Sequence, residues 1–252
     1  MNALILICVL FSLGELGFSW KYPRNADQTL WAFRSCQREG KNPDLVKKWM
    51  NWQLPNDPET HCYVKCVWTN LGSYDDKTGS ISIGKVREQF SSRNLKVPAE
   101  VKKLKGPTNG SCKEVYDKTI AFFKSQKTSL QKAYYGTKEE SNKWYSENPE
   151  TKPKGAKISV FCKDKNREGG KEGTCKNACS MYYYRLVDED NLVIPFRKLP
   201  GISESDLKEC RDVASKKTGC EVADKLYECI DKANSKAFRD ALKKLDDESA
   251  VY

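Results

Sequence analysis

Histidine is almost missing from this chain: His61 is the only one in 252 residues. That scarcity closes most routes to catalysis, because an activated nucleophile needs a base beside it. No G-x-S-x-G, glycine-rich phosphate loop or H-E-x-x-H occurs. The run DDKTGSISIGKVRE has a faint look of a calcium loop. However, Ile81 stands where the sharp-turn glycine belongs and Arg87 where the chelating glutamate belongs. A phospholipase is excluded on the same grounds, and His61 reads as a structural histidine at a helix start. The chain is read as non-enzymatic, without cofactor or metal.

Long apolar runs are equally scarce. Ala3 to Leu13 is one, too short to span a bilayer, and nothing after it is apolar enough to do so. With small residues at Gly17 and Ser19, residues 1–19 read as a signal peptide cleaved before Trp20. Tryptophan is absent beyond position 144, so all six lie in the first part of the chain. Trp31, Trp49, Trp52, Trp68 and Trp144 exceed what a small helical core normally needs. Either they build an ordinary core, or several of them line a pocket suited to a long, flexible, apolar ligand.

Only 38% of residues are hydrophobic and mean hydropathy is −0.72. The formal net charge is +10, and removal of Glu15 with the signal makes the remainder one unit more positive. Lysines are spread among acidic neighbours, with no block of five like charges, which describes a solvated surface rather than a nucleic-acid face. An anionic small ligand stays open.

What the sequence does have is cysteine, in a frame written twice. The first copy runs Cys36, Cys62, Cys66, Cys112 and the second Cys162, Cys175, Cys179, Cys210, Cys220, Cys229. Each contains a C-x-x-x-C pair. From its second cysteine, nine residues lead to an acidic step (Asp75-Asp76; Asp188-Glu189) and fifteen to an isoleucine (Ile81; Ile194). A late cysteine opens CKEVYDK at Cys112 and CEVADK at Cys220. The remaining Cys8 leaves with the signal, and an even number in a secreted chain implies five disulfides. Each is worth roughly 2–4 kcal/mol, which offsets the meagre cores.

Helical patterns dominate. Asp44 to Leu54 places Leu45, Trp49 and Trp52 at helical spacing, started by Pro43 and Asp44 and stopped by Pro55. Cys62 and Cys66 share one helical face, so each can tie to a different neighbour. Helices are predicted around Val86, over Val115 to Phe123 and over Thr128 to Tyr135. In the second half they are predicted over Asn177 to Arg185, Ser205 to Ser215, Val222 to Ile230 and Ser235 to Leu245. Ser203 or Ser205 is the N-cap before the second of these. Tyr74 to Ser80 reads as a turn, and Leu192 to Phe196 as an extended connection. ENPETKPKG, residues 147–155, breaks the pattern. The expectation is an all-α chain of two disulfide-stapled bundles, residues 20–150 and 151–252.

The spacing C175-x3-C179-x30-C210-x9-C220-x8-C229 resembles that of insect odorant-binding proteins. The motifs WMxWQL-P, THCYVKCVW-x2-LG-x-YD, GSCKEVY and KPKG-x4-FC, in that order, resemble the long-form D-seven (D7) salivary proteins of blood-feeding flies. The resemblance implies Cys162–Cys179, Cys175–Cys220 and Cys210–Cys229 in the second copy. In the first, Lys102 and Ala121 occupy the positions of the missing cysteines, leaving Cys36–Cys66 and Cys62–Cys112. It further implies a monomeric secreted scavenger in saliva that takes small-molecule host lipid mediators, leukotrienes and thromboxanes, in its N-terminal domain. Vasoconstriction, platelet aggregation and inflammation at the bite would be countered.

Under that resemblance Trp52, with Trp49 in the same segment, is a wall of the ligand site. Tyr63 offers a hydroxyl to a ligand oxygen, and Tyr134 and Tyr135 close the mouth. Lys152 or Lys154 of TKPKGAK meets the carboxylate. The family's acidic motif for amines is not matched: Asp224 and Glu228 share a helical face beside Tyr227 but read as surface carboxylates. Three alternatives stay open: an amine scavenger, an interaction protein acting on a host coagulation or complement factor, and an odorant carrier. The sequon Asn109-Gly110-Ser111 marks a glycosylation candidate.

Overall fold

The computed structural model describes residues 22–163, 165 and 175–252; the signal-peptide reading, with Cys8 and Trp20, lies outside them. Helix α1 (Ala26–Arg38) begins with a capping box. Asn25 accepts from Gln28 N at 2.8 Å while the Gln28 side chain accepts from Asn25 N at 3.0 Å. Helix α2 spans Pro43–Met50 and α3 Pro58–Asn70. Each has proline at its start, where a missing N–H costs nothing, and a capping Asn42 or Asp57 before it. The turn expected over Tyr74 to Ser80 closes a small hairpin of two-residue strands, β1 (Tyr74–Asp75) paired with β2 (Ser80–Ile81). Helices α4 (Ile83–Ser92), α5 (Cys112–Ser125), α6 (Lys127–Ala133) and α7 (Lys138–Glu147) follow, with a 3₁₀ segment at Ala99–Leu104.

The second half holds α8 (Ile158–Phe161), α9 (Ala178–Tyr183), α10 (Glu204–Ala214) and α11 (Glu221–Ser249). Ser203 is the cap of α10, accepting from Asp206 N at 3.1 Å. The two helices expected over Val222 to Ile230 and Ser235 to Leu245 are both present within α11, on either side of a kink. Its break is confined to Asn234, at φ −156° and ψ 82°.

Cys62 and Cys66, one turn apart on α3, tie that helix to two neighbours: Cys66 to Cys36 on α1 and Cys62 to Cys112 at the start of α5. The second half carries Cys162–Cys179, Cys175–Cys220 and Cys210–Cys229. These are the pairs that the resemblance implies.

Two hydrophobic cores form. One gathers Trp31, Trp49, Trp68, Phe90 and Phe122, and the other Ile158, Met181, Leu226 and Phe238. They interlock, because Ile194 and Tyr252 of the second half are buried in the first core. Buried Arg185, at φ 60°, forms an ion pair with Asp27 of α1, which also accepts from the Tyr145 hydroxyl at 3.0 Å.

Candidate functional site

Helix α2 stops short of the expected Leu54. Asn51 caps it, its side-chain amide donating to Lys47 O at 2.9 Å, and Trp52 turns to φ 56°. Leu54 precedes Pro55, which disfavours the helical conformation there. Trp52 is therefore not on the helix with Trp49. The turn swings its ring inward, 5.1 Å from Phe33 of α1 and stacked 5.3 Å from Phe123 of α5.

Behind these rings lies an apolar cavity of about 30 Å³, bounded by Phe33, Trp49, Trp52, Leu54, Tyr63, Val64, Val67 and Phe123. Its floor is rigid. Trp49 stacks on Tyr63 with centroids 4.4 Å apart and 3° between planes. The Trp49 indole N–H donates to Thr60 Oγ1 at 2.8 Å, and Thr60 Oγ1 donates to Asp57 at 2.6 Å. The Tyr116 hydroxyl donates to Leu54 O at 3.0 Å, pinning the loop from the other side. His61 packs on the Tyr116 ring at 4.4 Å, and its Nε2 meets Asn56 Oδ1 at 2.7 Å, a structural setting.

Tyr63 brings the cavity's one hydroxyl. Burial raises its pKa well above the ordinary phenol value, so it stays protonated and able to donate. Gln37 Nε2 donates to its oxygen at 3.4 Å, and Gln37 Oε1 accepts from Arg34 at 3.0 Å. Phe33, Arg34 and Gln37 stand at helical spacing on α1, so cavity wall and polar contact come from one face. Sequence reasoning passed over all three. The signal was there in FRSCQ, but α1 was not among the predicted helices.

The tyrosines of KAYYG do not border the cavity. Helix α6 ends at Ala133 rather than Tyr135. Tyr134 is buried edge-on to Trp68 at 6.4 Å. Tyr135, at φ 50°, lies under the Arg93 guanidinium at 4.0 Å. Their neighbour Gly136 matters instead: a Cβ there would lie 2.1 Å from Trp52 Cζ2.

The two lysine candidates part company. Lys152 is 1% exposed, and its ammonium donates to the carbonyls of Pro153, Ala156, Ser249 and Tyr252 at 2.9–3.3 Å. It holds the end of α11, and no donor is left for a ligand. Lys154 is exposed, donates to Asn142 at 2.9 Å and sits 4.6 Å over the Tyr145 ring. Burial of its stem, then repulsion from Arg34 and Lys138, lowers its pKa. Lys154 does not border the cavity.

A larger groove of about 610 Å³ runs between the halves, lined by Arg38, Lys65, Arg197, Lys198 and Lys244 with Glu39, Asp76 and Glu248. Arg38 is paired to Glu248 and Lys65 to Asp76. In the second half, Asp224 accepts from Lys176 N, Asn177 N and the Asn177 amide at 2.8–3.2 Å, and Glu228 meets Lys225 at 3.3 Å. Among the described residues no group of three His, Cys, Asp or Glu side chains is placed to hold a metal. No helix among them is long and apolar enough to cross a membrane.

A helical, disulfide-tied bundle around an apolar cavity is the architecture of the insect carrier proteins. Residues 23–133 match the PBP/GOBP family. The chain is 55% identical over 252 residues to a long form salivary protein, D7LC, of Phlebotomus papatasi, covering 99% of each. It belongs to the family of long-form D7 salivary proteins. The solved D7 protein from Phlebotomus duboscqi is similar at TM-score 0.82 and 50% identity, over 92% of this chain and all of that one. More distant structures share the fold. An AeD7–leukotriene E4 complex has TM-score 0.69 and 18% identity, with 92% of each chain covered. An AnSt-D7L1–U46619 complex has TM-score 0.63 and 25% identity, covering 91% of this chain and 90% of that one.

Proposed function

We propose that this protein is a monomeric, stoichiometric scavenger of host eicosanoids, holding the lipid chain in the aromatic cavity of its first half. The carrying observation is the cavity's make-up: seven apolar side chains and Tyr63, the one lining residue that carries a hydroxyl. Lys154, exposed and outside the lining, is the cation this reading assigns to the carboxylate. A leukotriene or thromboxane has that pattern of long apolar chain, mid-chain oxygen and terminal carboxylate. Family relatives in complex with leukotriene E4 and with U46619 agree with it.

The cavity must widen for such a ligand, since sites for molecules of this size occupy about 300 Å³ or more. Trp52 is the wall this reading has a ligand displace, because it lies outside the helices while Phe33, Tyr63 and Phe123 sit on α1, α3 and α5, which two disulfides tie together. Burying about twenty carbons gains on the order of 16 kcal/mol gross. After ordering costs of several kcal/mol, nanomolar capture, about −12 kcal/mol, is within reach.

Removal of these mediators would counter vasoconstriction, platelet aggregation and inflammation at the bite. Calorimetry with a cysteinyl leukotriene and a stable thromboxane analogue tests the reading. One-to-one binding is expected, and no heat with either at micromolar protein overturns it. Amines are not the expected cargo, because Asp224 is committed to the start of α9 and a buried ammonium needs a free, enclosed carboxylate.

A further inference from the structure

The turn before α5 carries the chain's one Asn-Gly step, Asn109-Gly110. Asn109 is exposed, and Gly110, at φ 83°, has no side chain to crowd its amide nitrogen. Hydrogen bonds act on both ends of the pair. Ser111 N donates to Asn109 Oδ1 at 2.8 Å, which draws electrons away from the side-chain amide carbon. Gly110 N donates to Thr108 Oγ1 at 3.2 Å. Thr108 Oγ1 sends its own proton to Gly79 O at 2.9 Å, so it offers Gly110 a lone pair. Thr108 N also donates to Gly79 O at 2.8 Å, which fastens the turn to the β1–β2 hairpin.

We propose that Asn109 is a self-modification site at which the Gly110 nitrogen attacks Asn109 Cγ and the hydrogen bonds of the turn assist the step. The forming N–C bond pushes the carbonyl electrons onto Oδ1, where the Ser111 N–H meets the developing charge. Thr108 Oγ1 holds the Gly110 proton as it leaves for solvent. Nδ2 takes up a proton and departs as ammonia, leaving a cyclic imide. Water then opens the imide at either carbonyl, giving aspartate or isoaspartate at position 109, and nothing is oxidised or reduced. The product sets a new carboxylate near Glu114, whose Oε2 accepts from Asn109 N at 2.8 Å. In the isoaspartate form the main chain gains a methylene just before Gly110, whose carbonyl accepts from Lys65 Nζ at 2.8 Å. Lys65 lines the groove between the halves, so the change reaches that surface. Glycosylation uses the same Nδ2, so a converted chain has lost its sequon.

The test follows full-length protein folded without a glycan and incubated at mildly acidic, neutral and mildly alkaline pH. Peptide mapping separates the asparagine, aspartate and isoaspartate forms. Conversion at 109 should rise with pH, because the Gly110 nitrogen attacks without its proton. Folded protein should convert at least as fast as the reduced, unfolded chain. Thr108→Val should slow conversion about tenfold, the worth of one hydrogen bond in the barrier. Thr108→Ser, which keeps the hydroxyl, should leave the rate in place. If the valine variant melts early, the comparison of folded with unfolded parent protein still decides. Slower conversion in the folded chain than in the unfolded one overturns the proposal, and so does a rate untouched by Thr108→Val in a variant that melts normally.

Discussion

Trp52 rests directly on the backbone of Gly136: any side chain at 136 would begin 2.1 Å from the indole. Two departures from helix, at Trp52 and just past α6, therefore meet face to face. Gly136→Ala should force the indole out of its seat, at a cost of about 1–3 kcal/mol typical of overpacking. Urea denaturation monitored by tryptophan fluorescence would show a lower midpoint, and lipid affinity should fall with it.

Trp52→Ala removes the closing wall itself. Affinity for a cysteinyl leukotriene should drop more than tenfold in calorimetry, since burying a large aromatic against the lipid contributes on the order of 2 kcal/mol. Unaltered affinity would place the lipid elsewhere in the molecule.

The lysines separate binding from folding. Lys154→Ala should weaken carboxylate-bearing lipids several-fold without moving the melting temperature, because its contacts are exposed. Lys152→Met should do the reverse, leaving the carbonyls of Ser249 and Tyr252 at the end of α11, and those of Pro153 and Ala156, without their donor and lowering stability by about 1–3 kcal/mol. Lipid titrations and thermal melts of both variants, side by side, check the split.

Asp27 and Arg185 are both fully buried and belong to different halves. Asp27→Ala strands the guanidinium and should cost about 3–5 kcal/mol. Changing both residues to apolar ones of similar size should restore much of that loss, a contrast that chemical denaturation resolves.

Asn109 is exposed in a turn, and its Oδ1 accepts from Ser111 N at 2.8 Å. Ser111 in turn caps α5 by accepting from Glu114 N at 3.3 Å. If the sequon is used in secretory expression, Asn109→Gln and Ser111→Ala both remove the glycan by mass spectrometry. Only the serine change should also lower stability, by about 1 kcal/mol for a lost cap.

The cysteine frame carried most of the fold, because pairs four apart on α3 dictate which helices lie on either side. Local patterns failed where the chain leaves the helix. Trp52 continues the apolar spacing of α2, and nothing local shows that its ring is worth more to the core in a left-handed turn. Helix α1 went unread because its face toward the second half carries buried Asp27 and Gln28, partners of Arg185 and Glu189 more than 150 positions away. Such positions look like surface until the partner is in place. Lys152 and Lys154 are equivalent as sequence, and only the carbonyls gathered at the end of α11 tell them apart.

Ile194 and Tyr252 sit in the first core although the chain reaches them only after the second unit is well under way. The tandem is therefore not a pair of exchangeable modules. A shortened chain ending in the 147–155 segment would carry the first half with its core open at both places and Asp27 facing water. Any minimal version of this protein meant to preserve the aromatic cavity has to keep the second half, even if that half never touches a ligand.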